Sequence, residues 1–281
     1  MFRWIAGRGA TPRQVERTYA RISPELWQKT LAAHGFLNDL SESEQDALRQ
    51  RTAWLLASKT FTGVQGLELT TDIMMSVAVQ AALPILALDP QLYDGWHEIV
   101  VYPGGFVIPR TEMDESGVVH EYLQEASGEA WDGGPVILSW EDAGPSVQSP
   151  DNVVIHEFAH KLDLHTGDAD GMPSLAGHPE LSPRRWRAVL DQAFLDFCTA
   201  LDAVEAAIPA DVDPESEAAA AWYDTLPLDP YAATDEAEFF AVSSEAFFVD
   251  PEALAHTLPD WYGLLVTYYR QDPLARRKTA A

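Results

Sequence analysis

Apolar residues fall at helical spacing through most of the first third of the chain. Leu26, Trp27 and Leu31 follow Ser23-Pro24, a capping serine with a proline in the first turn. Leu40-Ser41, with Glu42 and Glu44 behind it, opens another helix through Leu48, Trp54 and Leu55. Thr71-Asp72 leads into the apolar run 73–83, stopped by Pro84, in which Met74 and Met75 read as core filling. Residues 11–88 are therefore expected to be mostly helical.

Strand signals come next. Residues 98–102 and 105–108 flank the turn Pro103-Gly104; 118–123 is a third candidate, and 135–140 a fourth between Gly133-Gly134 and Glu141-Asp142. Together they predict a small twisted sheet of about four strands. From Asn152 the pattern is helical again, and residues 152–162 are apolar on most sides, which predicts a deeply buried helix. A polar loop holding Gly167, Asp168, Asp170, Gly171 and Pro173 precedes a helix over 183–204, and 209–214 reads as an exposed linker or insertion. Residues 231–248 begin as a loop and become a helix, and a last helix covers 258–270. The expected class is α+β, mostly helical with a small twisted β-sheet. A helical region, 1–90, packs on a second region, 91–281, in one continuous globular unit.

Composition narrows the function. With 44 acidic and 18 basic residues the formal charge is −26, which repels polyphosphate and argues against direct nucleic-acid binding through the general surface. Such a surface suits a soluble monomer. Basic residues gather at the two ends (Arg3, Arg8, Arg13, Arg17 and Arg21; Arg276, Arg277 and Lys278) and read as solvated termini. The single cysteine, Cys198, makes no internal disulfide and reads as a small core hydrophobe, which favours a reducing compartment. No stretch has the apolar length of a signal peptide or approaches the ~18 residues of a membrane span. The expectation is a soluble cytoplasmic protein with no membrane contact.

Chemistry enters at His156-Glu157-Phe158-Ala159-His160. A helix puts residues four apart on one face, so two neutral imidazoles can hold one metal ion. Glu157, beside the first ligand, can activate a zinc-bound water without ligating the metal itself. About 0.02 chance occurrences of the pattern are expected in a chain of this composition. His97-Glu98 and His120-Glu121 are internal controls, since neither has a second histidine four places on. Three ionisable groups buried without partners would be costly, and a metal would supply partners. Asp163 can orient a ligand imidazole or belong to the loop that follows.

A catalytic zinc needs a third protein ligand and an open position. His165 lies too close to His160 to turn back from the same helix, and His178 follows a long loop, so a carboxylate from a later helix is the better candidate. Glu238 and Glu245, seven apart and embedded among apolar residues, both qualify, and spacing does not choose between them. Asp235 and Glu236 read as helix-start residues behind Thr234 as N-cap.

Over nearly its whole length the chain resembles the Mlc titration factor A family of bacterial zinc peptidases, whose catalytic core is similar to that of anthrax lethal factor. The likeness runs through Lys59-Thr60-Phe61-Thr62-Gly63, Gly66-Leu67-Glu68-Leu69, Val101-Tyr102-Pro103, Gly128-Glu129-Ala130-Trp131 and Val136-Ile137-Leu138-Ser139-Trp140. It continues in the stretch 152–163, Gly167-Asp168-Ala169-Asp170-Gly171, Asp229-Pro230-Tyr231-Ala232-Ala233 and Glu238-Phe239-Phe240-Ala241. The resemblance implies a zincin-like (gluzincin) metallopeptidase, an aminopeptidase by family habit, with one Zn2+ per chain held by His156, His160 and Glu238. Glu157 is then the general base, Tyr231 hydrogen-bonds the oxyanion, and Glu245 takes a supporting place. It further implies that 136–140 is an edge strand along which a peptide or protein substrate lies. The alternative role it implies is binding of a transcriptional repressor, Mlc, with peptidase activity secondary; no compact motif here marks a surface for that. The acidic stretch 203–221 looks longer than the family's, lying between ligands as a shade over the site or a passive excursion.

Overall fold

A computed structural model of the chain describes residues 10–113, 119–145, 151–214 and 216–280. Arg3 and Arg8 of the basic start, and Val118 of the third candidate strand, lie outside the described residues.

The fold is α+β, and the N-terminal helices start where the sequence places polar caps. Helix α1 (Pro12–Arg21) is closed by Thr11 and Gln14, α2 (Pro24–Ala32) by Ser23, and α3 (Glu42–Ser58) by a reciprocal pair between Ser41 and Glu44. Helix α4 (Thr71–Ala82), capped by Thr70, is buried nearly all round, as its unbroken apolar run requires. One strand interrupts this helical region, β1 (Thr60–Gly63). It is short and polar on alternate positions, so the surrounding helical periodicity hides it.

Among the described residues, six strands form two separate sheets. The main sheet has the order β1-β2-β6-β5, with β2 at Glu98–Tyr102, β5 at Gly128–Ala130 and β6 at Val136–Ser139. β1, β2 and β6 run parallel and β5 antiparallel. Strands β3 (Phe106–Met113) and β4 (Val119–Ala126) instead pair with each other as a two-stranded ribbon. Two expectations are corrected by this. The four strands read from sequence do not share one sheet, because β2 pairs forward with β6 after the Pro103-Gly104 bend instead of folding back on β3. And 136–140 is not an edge strand: β6 lies between β2 and β5, and its apolar Val-Ile-Leu run fits a strand whose side chains are largely buried. The free edge on that side is β5.

The remaining elements are helical. After the short α5 (Trp140–Ala143), α6 (Val153–Asp163) runs through the core. Helix α7 (Pro183–Ala207), the short α8 (Ala220–Tyr223), α9 (Glu236–Val249), α10 (Pro251–Thr257), α11 (Pro259–Tyr269) and α12 (Pro273–Ala280) complete the chain. Among the described residues one apolar core cluster reaches from Ile22 to Tyr269. Part of it is an aromatic cluster: Trp186 meets Trp261 at 5.4 Å and Tyr268 at 5.5 Å, and Phe239 lies 5.6 Å from Trp261. Each such buried side chain contributes about 1.5–3 kcal/mol, so α7, α9 and α11 form a firm platform. Cys198 is only half-buried and is not part of this core.

Among the described residues no helix is long and apolar enough to cross a membrane. The segment 209–214 is largely exposed, as expected of a linker or insertion.

Candidate metal centre

Helix α6 starts where Asn152 accepts the Ile155 N–H on its side-chain oxygen, at 2.9 Å. One turn then separates His156 from His160, which brings their rings to 4.7 Å and their Nε2 atoms to 3.1 Å. Helix α9 packs alongside and delivers Glu238 from its first turn. The cap there is Asp235, not Thr234: its carboxylate accepts the Glu238 N–H at 2.9 Å, while Thr234 ends the preceding turn. Asp235 has the extended backbone that a cap needs, and Thr234 is helical.

Glu238 Oε2 lies 3.1 Å from His156 Nε2 and 3.2 Å from His160 Nε2. Three donor atoms thus form a nearly equilateral triangle, the one such metal-capable cluster among the described residues. A tetrahedral zinc with bonds of 2.0–2.1 Å spaces its ligands about 3.3 Å apart, so the triangle matches three corners of that figure. The donor set, two imidazoles and one carboxylate, is also one that zinc accepts. Burial pushes the Glu238 carboxyl up, but hydrogen bonds and charge from both histidines overcome it and hold the group well below the usual carboxylate range. It stands ready as an anionic ligand.

Glu245, two turns along α9, faces the other side of His156. Its Oε1 lies 2.6 Å from His156 Nδ1, and its Oε2 accepts the Asn152 N–H at 2.5 Å. A carboxylate only accepts, so it places the proton on Nδ1 and leaves the Nε2 lone pair directed at the triangle. Burial works against charge on His156, yet Glu245 and Glu238 raise it well above the ordinary range; the same negative field favours a cation at Nε2. The support extends outward. The Asn152 side-chain amide donates to Gln80 Oε1 at 2.7 Å, and Gln80 donates to the Ala143 carbonyl at 3.1 Å, which ties α4 to the start of α6.

Glu157 is buried beside the triangle, and its Oε2 has no protein hydrogen-bond partner. Burial pushes this carboxyl up to about 7 against the lowering influence of His156 and His160. Edge strand β5 lies directly across it. A Cβ on Gly128 would come 2.3 Å from Glu157 Oε1 and 2.6 Å from Val153, so no side chain fits there. Lys161, one place after His160, donates to the carbonyls of Trp131 and Gly134 and so fastens the end of β5 to α6. Tyr231 is 45% exposed, its ring 6.2 Å from that of His156 and its hydroxyl donating to Glu238 Oε1 at 3.4 Å. Burial and the nearby carboxylates of Glu238 and Glu157 push its phenol up to about 12, so it stays a proton donor near neutrality.

His156, Glu157, His160, Tyr231 and Glu238 are therefore brought together as expected. Of the two roles open to Asp163, the loop claims it: its Oδ2 accepts the Gly171 N–H at 2.8 Å, and among the described residues no hydrogen bond joins it to either imidazole. The imidazole-orienting carboxylate is Glu245. Gly128 and Gln80 carry no functional signal in the sequence, and Asn152 is legible there only as the start of α6, not as the link to Glu245 and Gln80. Asn152 carried the only usable signal, a capping residue type just before the apolar helix.

The profile of the family described as glucose-regulated metallo-peptidase M90 matches residues 10–270. The chain is also 38% identical to a protein of Pectobacterium atrosepticum named Mlc titration factor A, over 91% of this chain and 89% of that one. Proteins of the same name from Klebsiella pneumoniae and Serratia proteamaculans are each 38% identical, over 90% and 89% of this chain and 88% of theirs.

Proposed function

The chain belongs to the glucose-regulated metallo-peptidase M90 family, and from that premise we propose that it is a zinc peptidase that hydrolyses peptide bonds at the His156, His160 and Glu238 triangle. The observation that carries this reading is the near-equal 3.1–3.2 Å spacing of three ligand atoms next to a buried, unpartnered carboxylate, Glu157. A zinc ion bound there supplies Lewis acidity, lowering the pKa of water and polarising the scissile carbonyl.

The protein's own groups carry the rest. Glu157 takes a proton from the attacking water and returns it to the leaving amine, a role its pKa near 7 suits at neutral pH. Tyr231 donates its hydroxyl hydrogen to the oxyanion of the tetrahedral state, after exchanging its long bond to Glu238. Substrate binds in extended form on β5. Ser127 O and Trp131 N point inward to β6, accepting from Ser139 N at 2.7 Å and donating to Pro135 O at 3.2 Å. Backbone direction alternates along a strand, so the N–H and C=O groups of Gly128 and Ala130 face the free edge and can pair with a peptide. The bare Cα of Gly128 lets that peptide lie close above Glu157.

The finer reading is an aminopeptidase acting in the cytoplasm; the family resemblance supports it, and the strongly acidic surface suits a cationic peptide terminus. Purified protein incubated with a peptide mixture should release amino acids from free N-termini, with the release stopped by a zinc chelator and restored by zinc. Equal cutting of N-acetylated peptides would sink the aminopeptidase reading, and no chelator-sensitive cutting of any peptide would sink the peptidase itself.

Glu245→Gln tests the support of His156. The amide has one acceptor oxygen where the carboxylate had two, so it can serve His156 Nδ1 or Asn152 N–H but not both. Zinc affinity is expected to fall about 10–100-fold in a chelator competition. Unchanged affinity would leave Glu245 a packing residue.

A second reading is carried by the relatives' name. The chain would then bind a repressor of the Mlc kind, alone or alongside hydrolysis. Capture of such a repressor by a zinc-free variant, with no peptide turnover by the wild type, would favour it.

A further inference from the structure

Gly171 sits where three elements meet. Its N–H donates to Asp163 Oδ2 at 2.8 Å, at the end of α6, and its carbonyl accepts the Trp186 indole N–H at 2.8 Å, from α7. Both bonds are buried, and Asp163 and Trp186 have no exposed surface. The third contact is steric. A Cβ on Gly171 would lie 2.4 Å from the Glu236 carbonyl oxygen and 3.0 Å from its carbon, inside the first turn of α9. Glu238 is two residues further along that turn. The backbone of Gly171 has φ +73°, a conformation L side chains rarely adopt, so glycine is required twice over, by conformation and by space.

The two ligand-bearing helices are thereby gauged against one another at two places. Glu245 joins them at the start of α6, through His156 and Asn152. Gly171 joins them at its end, holding Asp163 on one side and pressing on the α9 backbone on the other. His160 lies three residues from Asp163, so any slip at Gly171 changes the separation of His160 from Glu238. Ligand spacing near 3.2 Å tolerates little such slip, because metal affinity falls steeply with ligand geometry.

We infer that Gly171, clamped between Asp163 and Trp186 and packed on the Glu236 carbonyl, is a positioning residue that sets where Glu238 stands relative to the two histidines. The inference rests on the zinc site proposed above. It deepens that site by assigning the Gly167–Gly171 loop to ligand geometry instead of to surface.

The experiment is a double-mutant cycle read as zinc affinity, by chelator competition, on wild type, Gly171→Ala, Glu238→Ala and the double variant. Gly171→Ala should weaken zinc binding by at least about tenfold when Glu238 is present. In the Glu238→Ala background the same change should cost less than about threefold, since the ligand it positions is gone. Equal losses in both backgrounds would overturn the inference and make Gly171 a general stability residue. Should Gly171→Ala fail to fold, Asp163→Ala takes its place in the cycle with the same expected pattern. Asp163→Asn, which keeps an acceptor for the Gly171 N–H, should then restore affinity to within about threefold of wild type. Full affinity in Asp163→Ala would likewise overturn the inference. Glu238→Ala alone reports on the site: undiminished zinc there refutes the ligand assignment, a result distinct from any outcome at Gly171.

Discussion

A Glu157→Gln variant is expected to keep its zinc and lose about 10²–10⁴-fold in peptide turnover, the usual contribution of a positioned acid–base group. Glutamine has nearly the same shape, so it fits the slot under Gly128, which is so close-packed that a Cβ added to that glycine would clash with the Glu157 side chain. The ligand triangle involves His156, His160 and Glu238 but no atom of Glu157, so metal content should stay at one per chain by elemental analysis. What disappears is the ability to accept a proton. Glu157 is suited to that task because burial holds its carboxyl near 7 and because Oε2 has no protein partner competing for the proton. Wild-type turnover in the variant would remove Glu157 from the mechanism; loss of zinc with turnover would mean that it helps hold the metal.

Glu238→Ala should have the larger effect on the metal. It removes the only carboxylate in the triangle and leaves two imidazoles, one ligand short of the three protein ligands that a catalytic zinc site keeps. Zinc added to wild type binds the folded state and raises its stability by about 2.7 kcal/mol at a hundredfold excess over Kd. That rise, seen as a higher melting temperature, should be absent in Glu238→Ala, and zinc content should fall well below one per chain. The variant should still fold, because Phe239 and Phe240, packed on Trp261 and Trp186, hold α9 in place without the metal. Unchanged zinc would move the third ligand elsewhere, with Glu245 the first group to examine. Glu245 already has both oxygens engaged, by His156 and by the Asn152 N–H, so a move of that kind would have to break the start of α6.

Much of this centre was legible before any fold was known. The four-residue period of a helix makes His156 and His160 neighbours whatever surrounds them, and an apolar run around three ionisable groups already implies a buried ion site. Helix starts were legible for the same local reason: Ser23, Ser41 and Asn152 satisfy backbone N–H groups within three residues of themselves. At α9 the local signal was ambiguous. Thr234 and Asp235 are both good caps, and the backbone angles of the turn before them made the choice.

Strand pairing was not legible, because it joins residues far apart and strand sequence alone does not say which neighbour is chosen. β2 pairs with β1 and β6 and not with β3, which makes β5 the edge and β6 an interior strand. The choice between Glu238 and Glu245 has the same character. Seven residues apart, they share one face of α9, and their different work follows from how α9 lies along α6: one reaches the Nε2 side of His156, the other the Nδ1 side. Sequence by itself determined the kind of chemistry, since ligand type and helical spacing are local properties. Only the tertiary structure decided which carboxylate points where and which glycines stand against Glu157 and the start of α9, because those are distances between elements, set by packing and not by period.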